Sequence, residues 1–234
     1  GDRWRITGTK LYITNGSVAD LFTVWARTDA GVSAFLVEGW PEGLTAVRDE
    51  DLLGLRGVPA TQLDFADVPA ELLGTDGEGF RLAMVTLDDA RLNISACALG
   101  VSRAALGIAL EHARAREAFG QPIIRHQGLS FLLADVVTEL AAARALWLRA
   151  VEEVAAGLGR KASTTCAMAK NACCNAAMRA TTEAVQVLGG SGLTKDVPVE
   201  RMFRDAKTFQ ILDGTTQIQQ LVIARHLERH GLPF

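Results

Sequence analysis

Between Gln186 and Gln219 the chain gathers residue types suited to holding phosphates and moving protons: QVLGGSGLTKDVPVERMFRDAKTFQILDGTTQIQ. A glycine turn, Gly189-Gly190-Ser191-Gly192, opens the stretch, and Asp213-Gly214-Thr215-Thr216-Gln217 closes it. Glycines let the backbone take positive φ and let a ligand come close. Asp213 precedes Gly-Thr-Thr-Gln and the apolar periodic run Ile218, Leu221, Val222, Ala224, which is a helix N-cap position. Amide N–H groups at such an end, with the Thr215 hydroxyl and the Gln217 amide, suit a pyrophosphate. The same residues also read as plain punctuation, since Asp is a common N-cap and Gly-Gly a common helix stop.

Three further groups are of chemical interest. In Lys10-Leu11-Tyr12-Ile13-Thr14-Asn15 the period is two, which puts Tyr12 and Thr14 on one strand face and Leu11 and Ile13 on the other. An aromatic ring and a hydroxyl on one face suit an isoalloxazine ring, although a Tyr-x-Thr strand is also ordinary β sequence. In RAREAFGQPIIRHQ, residues 114–127, two helices meet at Gly120-Gln121-Pro122. Arg116 there suits bidentate phosphate binding, or it is a solvated arginine favoured by a helix C-terminus. Arg91, three residues after Asp88, reads as half of an ion pair on a helix face. His112, His226 and His230 fall in charged helical patterns and read as surface histidines. No order of His, carboxylate and Ser or Cys suggests a nucleophilic triad, and no cluster has metal-ligand spacing.

The elements that must position these residues differ between the two parts of the chain. Residues 3 to 67 carry the strand signals WRITGTKLYIT, LFTVWART, VSAFLVE, GLTAVRD and TQLDFADV, punctuated by Asn15-Gly16, Asp29-Ala30-Gly31 and Pro41-Glu42-Gly43. Short strands with close turns predict an antiparallel barrel or sandwich, a β-domain over residues 1–75. After Gly74-Thr75-Asp76-Gly77-Glu78-Gly79 the period becomes helical, with Leu92, Leu99 and Leu106 as a stripe and Ala96 and Leu110 beside it. Long helices are predicted over about 80–117, 127–157 and 160–188, then a short one over 198–212 and a last one after Asp213. Together they make an up-and-down bundle over residues 76–234. The 234 residues, 49% of them hydrophobic, suffice for such a pair of domains. Net charge is -3 with scattered Lys and Arg, which gives no nucleic-acid or membrane-surface patch. No apolar run is read as reaching membrane-spanning length. Cys97, Cys166, Cys173 and Cys174 lack zinc or disulfide spacing and read as buried small hydrophobes in a reducing cytoplasm. Gly1-Asp2-Arg3-Trp4 leads straight into a strand pattern and reads like the middle of a longer protein.

The stretch from Gln186 resembles the C-terminal signature of the acyl-CoA dehydrogenase family. Gln186, Gly189, Gly190, Gly192, Pro198, Val199, Glu200, Arg201, Arg204, Asp205, Ala206, Lys207, Gly214, Thr215, Gln217, Ile218 and Gln219 match it in order. Gly8, Lys10, Tyr12, Ile13, Thr14, Asn15 and Gly16 resemble the family's flavin strand, with Tyr12 where many members have Trp. Arg116, Phe119, Gly120, His126 and Gln127 match its Arg-x-x-Phe-Gly and His-Gln turn, and Leu55-Arg56-Gly57-Val58-Pro59 resembles its Gly-x-Arg turn, which reads as structural. The resemblance implies FAD as cofactor. Tyr12, Ile13 and Thr14 would lie at its ring, with Thr14 at flavin N5. Arg116, Phe119, Gln127, Gln186, Gly189, Gly190, Thr215 and Gln217 would lie along its pyrophosphate and adenine, shared with a neighbouring subunit. It also implies a homo-oligomer (dimer or tetramer), an acyl-CoA substrate, an electron-transfer flavoprotein as acceptor and a place in fatty acid metabolism.

The implied reaction is α,β-desaturation of an acyl-CoA thioester, in which a carboxylate takes the α-proton and a hydride passes from the β-carbon to flavin N5. An α-proton is too weakly acidic for a carboxylate at neutral pH unless donors stabilise the developing enolate. The family base is usually a Glu before Gly-Thr; here that position is Asp213, one methylene shorter. The alternative family position, before the Arg of a Leu-Asp-x-x-Arg run, is Ala90, which cannot serve. Three readings of Asp213 remain open: an adjusted base, a slow base or one for an unusual, more acidic substrate as in flavin oxidases of the superfamily, or an N-cap alone. Asp88, Arg91 and Gly214 match positions at the substrate. The family's N-terminal helical domain has no counterpart here, which leaves a fragment, part of a split enzyme or a non-catalytic subunit as further readings.

Overall fold

Alternating inward apolar residues build a curled antiparallel sheet in the first part of the chain. The computed structural model describes residues 4–158 and 160–233, so the lead-in Gly1 to Arg3 lies outside the described residues. The chain divides between Thr86 and Leu87 into two units. In the first, β1 (Trp4–Thr14), β2 (Leu21–Thr28), β3 (Gly31–Glu38), β4 (Leu44–Asp49) and β5 (Ala60–Leu73) pair in the order β1-β5-β3-β2, with β4 also on β5. The fold class is as predicted, with the sheet a half-barrel. β5 carries the curl because it is 14 residues long. Ala60 to Ala70 pairs with β1 on one side, Thr61 to Phe65 with β4 on the other, and its end, Glu71 to Leu73, pairs with β3. Ile6, Phe22, Val24, Phe35, Val37, Leu44, Leu63, Phe65 and Val68 form the sheet's buried core. Burying side chains of this size contributes about 1.5–3 kcal/mol each.

The predicted alternation on β1 fails at Tyr12. Lys10 pairs with Leu63 and Ile13 with Thr61, so Leu11 and Tyr12 together face one residue of β5. Tyr12 takes φ 58° to make this bulge. A bulge re-aims side chains: Leu11 and Tyr12 are both exposed, 51% and 67%, instead of lying on opposite faces. Ile13 turns inward against the sheet core, and Thr14 stays exposed.

The link out of the sheet is held by one buried hydroxyl. Ser33 is fully buried; its Oγ donates to Asp76 Oδ1 at 2.6 Å and accepts from Gly77 N at 2.7 Å. Thr28 Oγ1 donates to the same carboxylate oxygen at 2.6 Å. These hydrogen bonds, Ser33's first and Thr28's second, hold the Asp76 carboxyl below its ordinary pKa. The lowered pKa is a stability statement. The contribution of Asp76 is complete above the unfolded carboxylate value of ~3.9 and is lost as pH falls through the lower folded value. Ser33→Ala strands the Gly77 amide and is expected to destabilise the sheet unit by about 1–3 kcal/mol at neutral pH. Chemical denaturation at pH 7 and at pH 3 checks this, and the difference between variant and wild type should shrink at the lower pH.

In the second part helices dominate. α1 (Gly79–Ala115), α2 (Gln127–Ala155) and α3 (Arg160–Leu188) are long, while α4 (Val199–Phe209) and α5 (Thr216–His230) are short. Gly79 explains why the first two turns of α1 count with the sheet. A Cβ there would lie 2.4 Å from the Ser33 carbonyl carbon, and Trp25 Nε1 donates to the Gly79 carbonyl. Farther along α1, the buried line is Leu92, Ser95, Ala98, Ser102, Ala105, Leu106, Ala109 and Ala113. The predicted stripe holds at Leu92 and Leu106, whereas Ala96 is exposed and Leu99 and Leu110 are half-buried. Small residues make the contact line because close helix approach needs small side chains. Ala105, Ala109 and Ala113 meet Leu133 and Val136 of α2 and Ala180 and Ala184 of α3 in one core cluster. Trp147 of α2 donates to the Leu92 carbonyl at 3.0 Å. One expectation needs correcting: α1 contains a window long and apolar enough to cross a membrane, at mean hydropathy 1.4. Of that window, 39% is buried within the chain. Cys166, Cys173 and Cys174 are buried as predicted, and burial pushes their thiols up to about 12, about 12 and about 11. Cys97 is exposed, because it lies on the opposite side of α1 from the buried line.

Candidate functional site

The candidate base sits on a turn in which the carbonyls of Leu212, Asp213 and Gly214 all accept from buried side chains. After α4 the chain turns through Gln210 to Gly214, and α5 begins at Thr216. The N-cap is Thr215, whose Oγ1 accepts from Ile218 N at 3.3 Å. The sequence reading of Asp213 as N-cap is therefore corrected. Asp213 adopts φ 51° and Gly214 φ 89°, a left-handed pair that reverses the chain before the helix can start. The Asp213 side chain is exposed. Among the described residues no hydrogen bond or ion pair reaches its carboxylate.

Two buried side chains hold this turn from below: Lys170, which sequence reasoning did not single out, and Gln219, which it matched only as part of the family signature. Lys170 of α3, 1% exposed, donates from Nζ to the carbonyls of Leu212 at 2.6 Å and Gly214 at 2.5 Å. Gln219 of α5, fully buried, donates from Nε2 to the Gly214 carbonyl at 2.8 Å and to the Asp213 carbonyl at 3.4 Å. Burial pushes the Lys170 ammonium down, against smaller opposing effects of Cys174 and Asp213, while Arg91 adds to the depression. Asp213 and Arg91 are thus each within electrostatic reach of Lys170. A signal was present in the sequence: Lys170 is the one charge in Cys166-Ala-Met-Ala-Lys-Asn-Ala-Cys-Cys174, a run of small apolar residues.

Arg91 is 4% exposed on α1. Its Nη1 donates to Asp88 Oδ1 at 2.6 Å, and Ser163 Oγ donates to the same oxygen at 2.9 Å. The ion pair read from the spacing is formed. Asp88, with its side chain 20% exposed, is the partner nearer solvent.

The helix end expected to bind phosphate is partly used within the chain. Thr216 N donates to the Gln210 carbonyl, Ile218 N to Thr215 Oγ1, and Gln219 N to the Thr215 carbonyl. Among the described residues, the Gln217 amide, its exposed side chain and the Thr215 hydroxyl hydrogen remain at that end for a ligand oxygen. The glycine turn is a short 3-10 helix, Gly189–Leu193. Gly189 has φ 58°, and nothing lies within 4 Å of a Cβ built on Gly189 or Gly190. Gly192 differs: a Cβ there would lie 2.6 Å from the Val185 carbonyl oxygen. Gln186 is exposed one α3 turn before the glycines.

Arg116 and Phe119 lie on a small hairpin, β6 (Glu117–Ala118) and β7 (Gln121–Pro122), between α1 and α2. Phe119, at φ 52°, is 96% exposed at its tip, and Arg116 is exposed at its base. His126 braces the hairpin, with Nε2 3.1 Å from the Ala118 carbonyl and Nδ1 3.2 Å from Gln121 Nε2. Both contacts are satisfied by the neutral tautomer protonated at Nε2. Gln127, exposed, is the first residue of α2. On the sheet unit, Tyr12 and Thr14 are exposed along β1.

The glycine turn fits the cofactor that the sequence suggests, on one test. The Gly189–Gly190 backbone is open on the side a Cβ would fill, and Gln186 is exposed beside it.

Known proteins match nearly all of the chain. The family description "Acyl-CoA dehydrogenase, C-terminal domain" matches residues 77–228, and "Acyl-CoA dehydrogenase, middle domain" matches residues 1–68. An "Acyl-CoA dehydrogenase" of Bacillus subtilis (strain 168) is 44% identical over 96% of this chain and 61% of its own length. A solved butyryl-CoA dehydrogenase from Megasphaera elsdenii is 39% identical at TM-score 0.94, over 97% of this chain and 61% of that one. A solved structure described as an electron transferring flavoprotein of Acidaminococcus fermentans is 40% identical at TM-score 0.94, over 98% of this chain and 62% of that one. The chain spans about three fifths of the length of the curated relatives it matches.

Proposed function

Because the chain belongs to the acyl-CoA dehydrogenase family, we propose that it forms the middle and C-terminal parts of an FAD-dependent enzyme that desaturates acyl-CoA thioesters. The observation that carries this reading is the turn at Asp213. A carboxylate matched to the family's base position is exposed, free of hydrogen bonds among the described residues, and held on a backbone fixed by two buried side chains.

In the proposed reaction the α C–H bond breaks and its proton moves to an Asp213 carboxylate oxygen. The electron pair left behind forms the α,β double bond as the β-hydride departs. Bound FAD supplies the two-electron oxidant that accepts that hydride. Gly214 follows the base with φ 89°, and a Cβ there would meet Gln219 Nε2 at 2.9 Å, so the turn needs glycine for its shape. Asp88 is proposed at the substrate, with Arg91 behind it as its ion partner. For the cofactor, Gly189, Gly190 and Gln186 are proposed at the pyrophosphate, with Thr215, Gln217, Arg116, Phe119 and Gln127 as further contacts. Tyr12, Ile13 and Thr14 are proposed at the flavin ring.

A homo-oligomer is part of the proposal. Phe131, Ala134, Ala141, Ala145 and Leu148 form an exposed apolar line along α2, and Phe119 presents a bare ring. Covering such surfaces with a second copy removes apolar area from water. The proposed electron acceptor is an electron-transfer flavoprotein, in keeping with the Acidaminococcus relative.

The test is the visible spectrum of the purified protein with short and medium acyl-CoA esters under anaerobic conditions. A flavin spectrum that bleaches with an ester is the expected result. A flavin-loaded protein that no ester bleaches would overturn the reaction. Asp213 in place of a longer Glu favours one other reading, a flavin oxidase with a more acidic substrate. Hydrogen peroxide formed in step with substrate loss in air would select it.

A further inference from the structure

We infer that Lys170 is a positioning residue for Asp213, acting through the backbone of the Leu212–Gly214 turn; the inference rests on the reading of Asp213 as the base. A lysine 1% exposed, with no carboxylate at hydrogen-bond distance among the described residues, is an unusual object. Buried ammonium groups are costly unless paired and fully hydrogen-bonded. Here the charge is directed at two main-chain carbonyls, one on each side of Asp213. Gln219 takes the carbonyl between them and shares that of Gly214. All three peptide oxygens therefore point into the protein.

The consequence follows from chain geometry. With the carbonyls of Leu212, Asp213 and Gly214 tied inward, and with φ 51° at Asp213, the side chain of Asp213 is left exposed. An exposed turn without such anchors would sample other φ/ψ states, since a non-glycine residue at positive φ is held there only by its surroundings. A base displaced by about 1 Å loses on the order of 100-fold in rate. Lys170 comes from α3 and Gln219 from α5, so the turn is tied to two helices. The ammonium also lies within electrostatic reach of the Asp213 carboxylate without bonding to it. That separation leaves the carboxylate free to take a proton.

The experiment compares wild type, Lys170→Met and Gln219→Leu as purified flavin-loaded proteins. Three quantities are read: the rate of anaerobic flavin bleaching with an acyl-CoA ester, its isotope effect with the α-deuterated ester, and amide hydrogen exchange over residues 212–219. Lys170→Met is expected to slow bleaching by about 10- to 100-fold. KM for the ester and flavin content should stay near wild type. The isotope effect should rise, because proton removal becomes slower relative to the other steps. Exchange over 212–219 should quicken while exchange in α2 does not. Gln219→Leu should show the same pattern at smaller size, and it carries the test if Lys170→Met does not fold. If wild type bleaches and both variants keep its rate and isotope effect, the inference fails and the functional reading stands. If wild type does not bleach, the functional reading fails, and with it the role assigned to Lys170. In that case exchange alone reports whether Lys170 holds the turn, and unchanged exchange removes that too.

Discussion

Asp213→Asn is expected to lower the rate of flavin reduction by acyl-CoA by about 100- to 10,000-fold, the range a general base contributes. The same change should leave flavin content and melting temperature close to wild type. The reason is the backbone. Asp213 sits at φ 51°, a conformation that Asp and Asn tolerate better than other non-glycine residues. The turn is held through its carbonyls by Lys170 and Gln219, and among the described residues nothing bonds to the Asp213 carboxylate. Asparagine keeps shape and backbone bonds and removes only the ability to accept a proton. Alanine would be a poorer test, because strain at positive φ would enter with the lost carboxylate. Stopped-flow reduction by an ester gives the rate, and the absorbance of the oxidised protein gives the flavin content. Bleaching at the wild-type rate in Asp213→Asn would remove Asp213 from the reaction.

The second large effect separates cofactor binding from folding at two glycines two residues apart. Gly190→Ala places a Cβ in open space, so the fold should be unchanged. If the pyrophosphate of FAD lies against that backbone, the added methyl stands between them. FAD affinity is then expected to fall by about 10-fold or more, roughly 1.4 kcal/mol. Gly192→Ala places its Cβ 2.6 Å from the Val185 carbonyl oxygen and 3.1 Å from the Leu188 Cβ. Backbone rather than a flexible side chain is in the way, so α3 and the turn must part. Overpacking of this kind costs about 1–3 kcal/mol. Thermal melts and flavin titrations of both variants check the pair. A Gly190→Ala protein with wild-type affinity would move the pyrophosphate elsewhere, while Gly192→Ala should melt lower whatever becomes of the cofactor.

Much of this architecture follows from local sequence. Alternation and turn residues are short-range signals, so the strands of the sheet and the helix-rich remainder were readable. The long α1 was readable because no proline interrupts residues 80–117. The order of glycines, arginines and the carboxylate from Gln186 to Gln219 was enough to place the chain in its family, since such a motif is itself a linear pattern.

Other features depended on contacts between residues far apart in sequence. The buried line of α1 runs through Ser95, Ala98, Ser102 and Ala109 rather than through Leu99, because helix separation selects for size, and hydropathy does not report size. The bulge that turns Tyr12 outward exists only in the pairing of β1 with β5, where two residues face one. Asp213 looked like a cap because a cap is read from the residues that follow it. Only the hydrogen bond from Ile218 N to Thr215 Oγ1 shows that Thr215 has that task. Lys170 and Gly214 are 44 residues apart, and no local rule connects them. Sequence alone determined which groups this protein can bring to a reaction. Tertiary structure decided which of them is left exposed and which hold it in place, because that depends on where buried donors find carbonyls to bind.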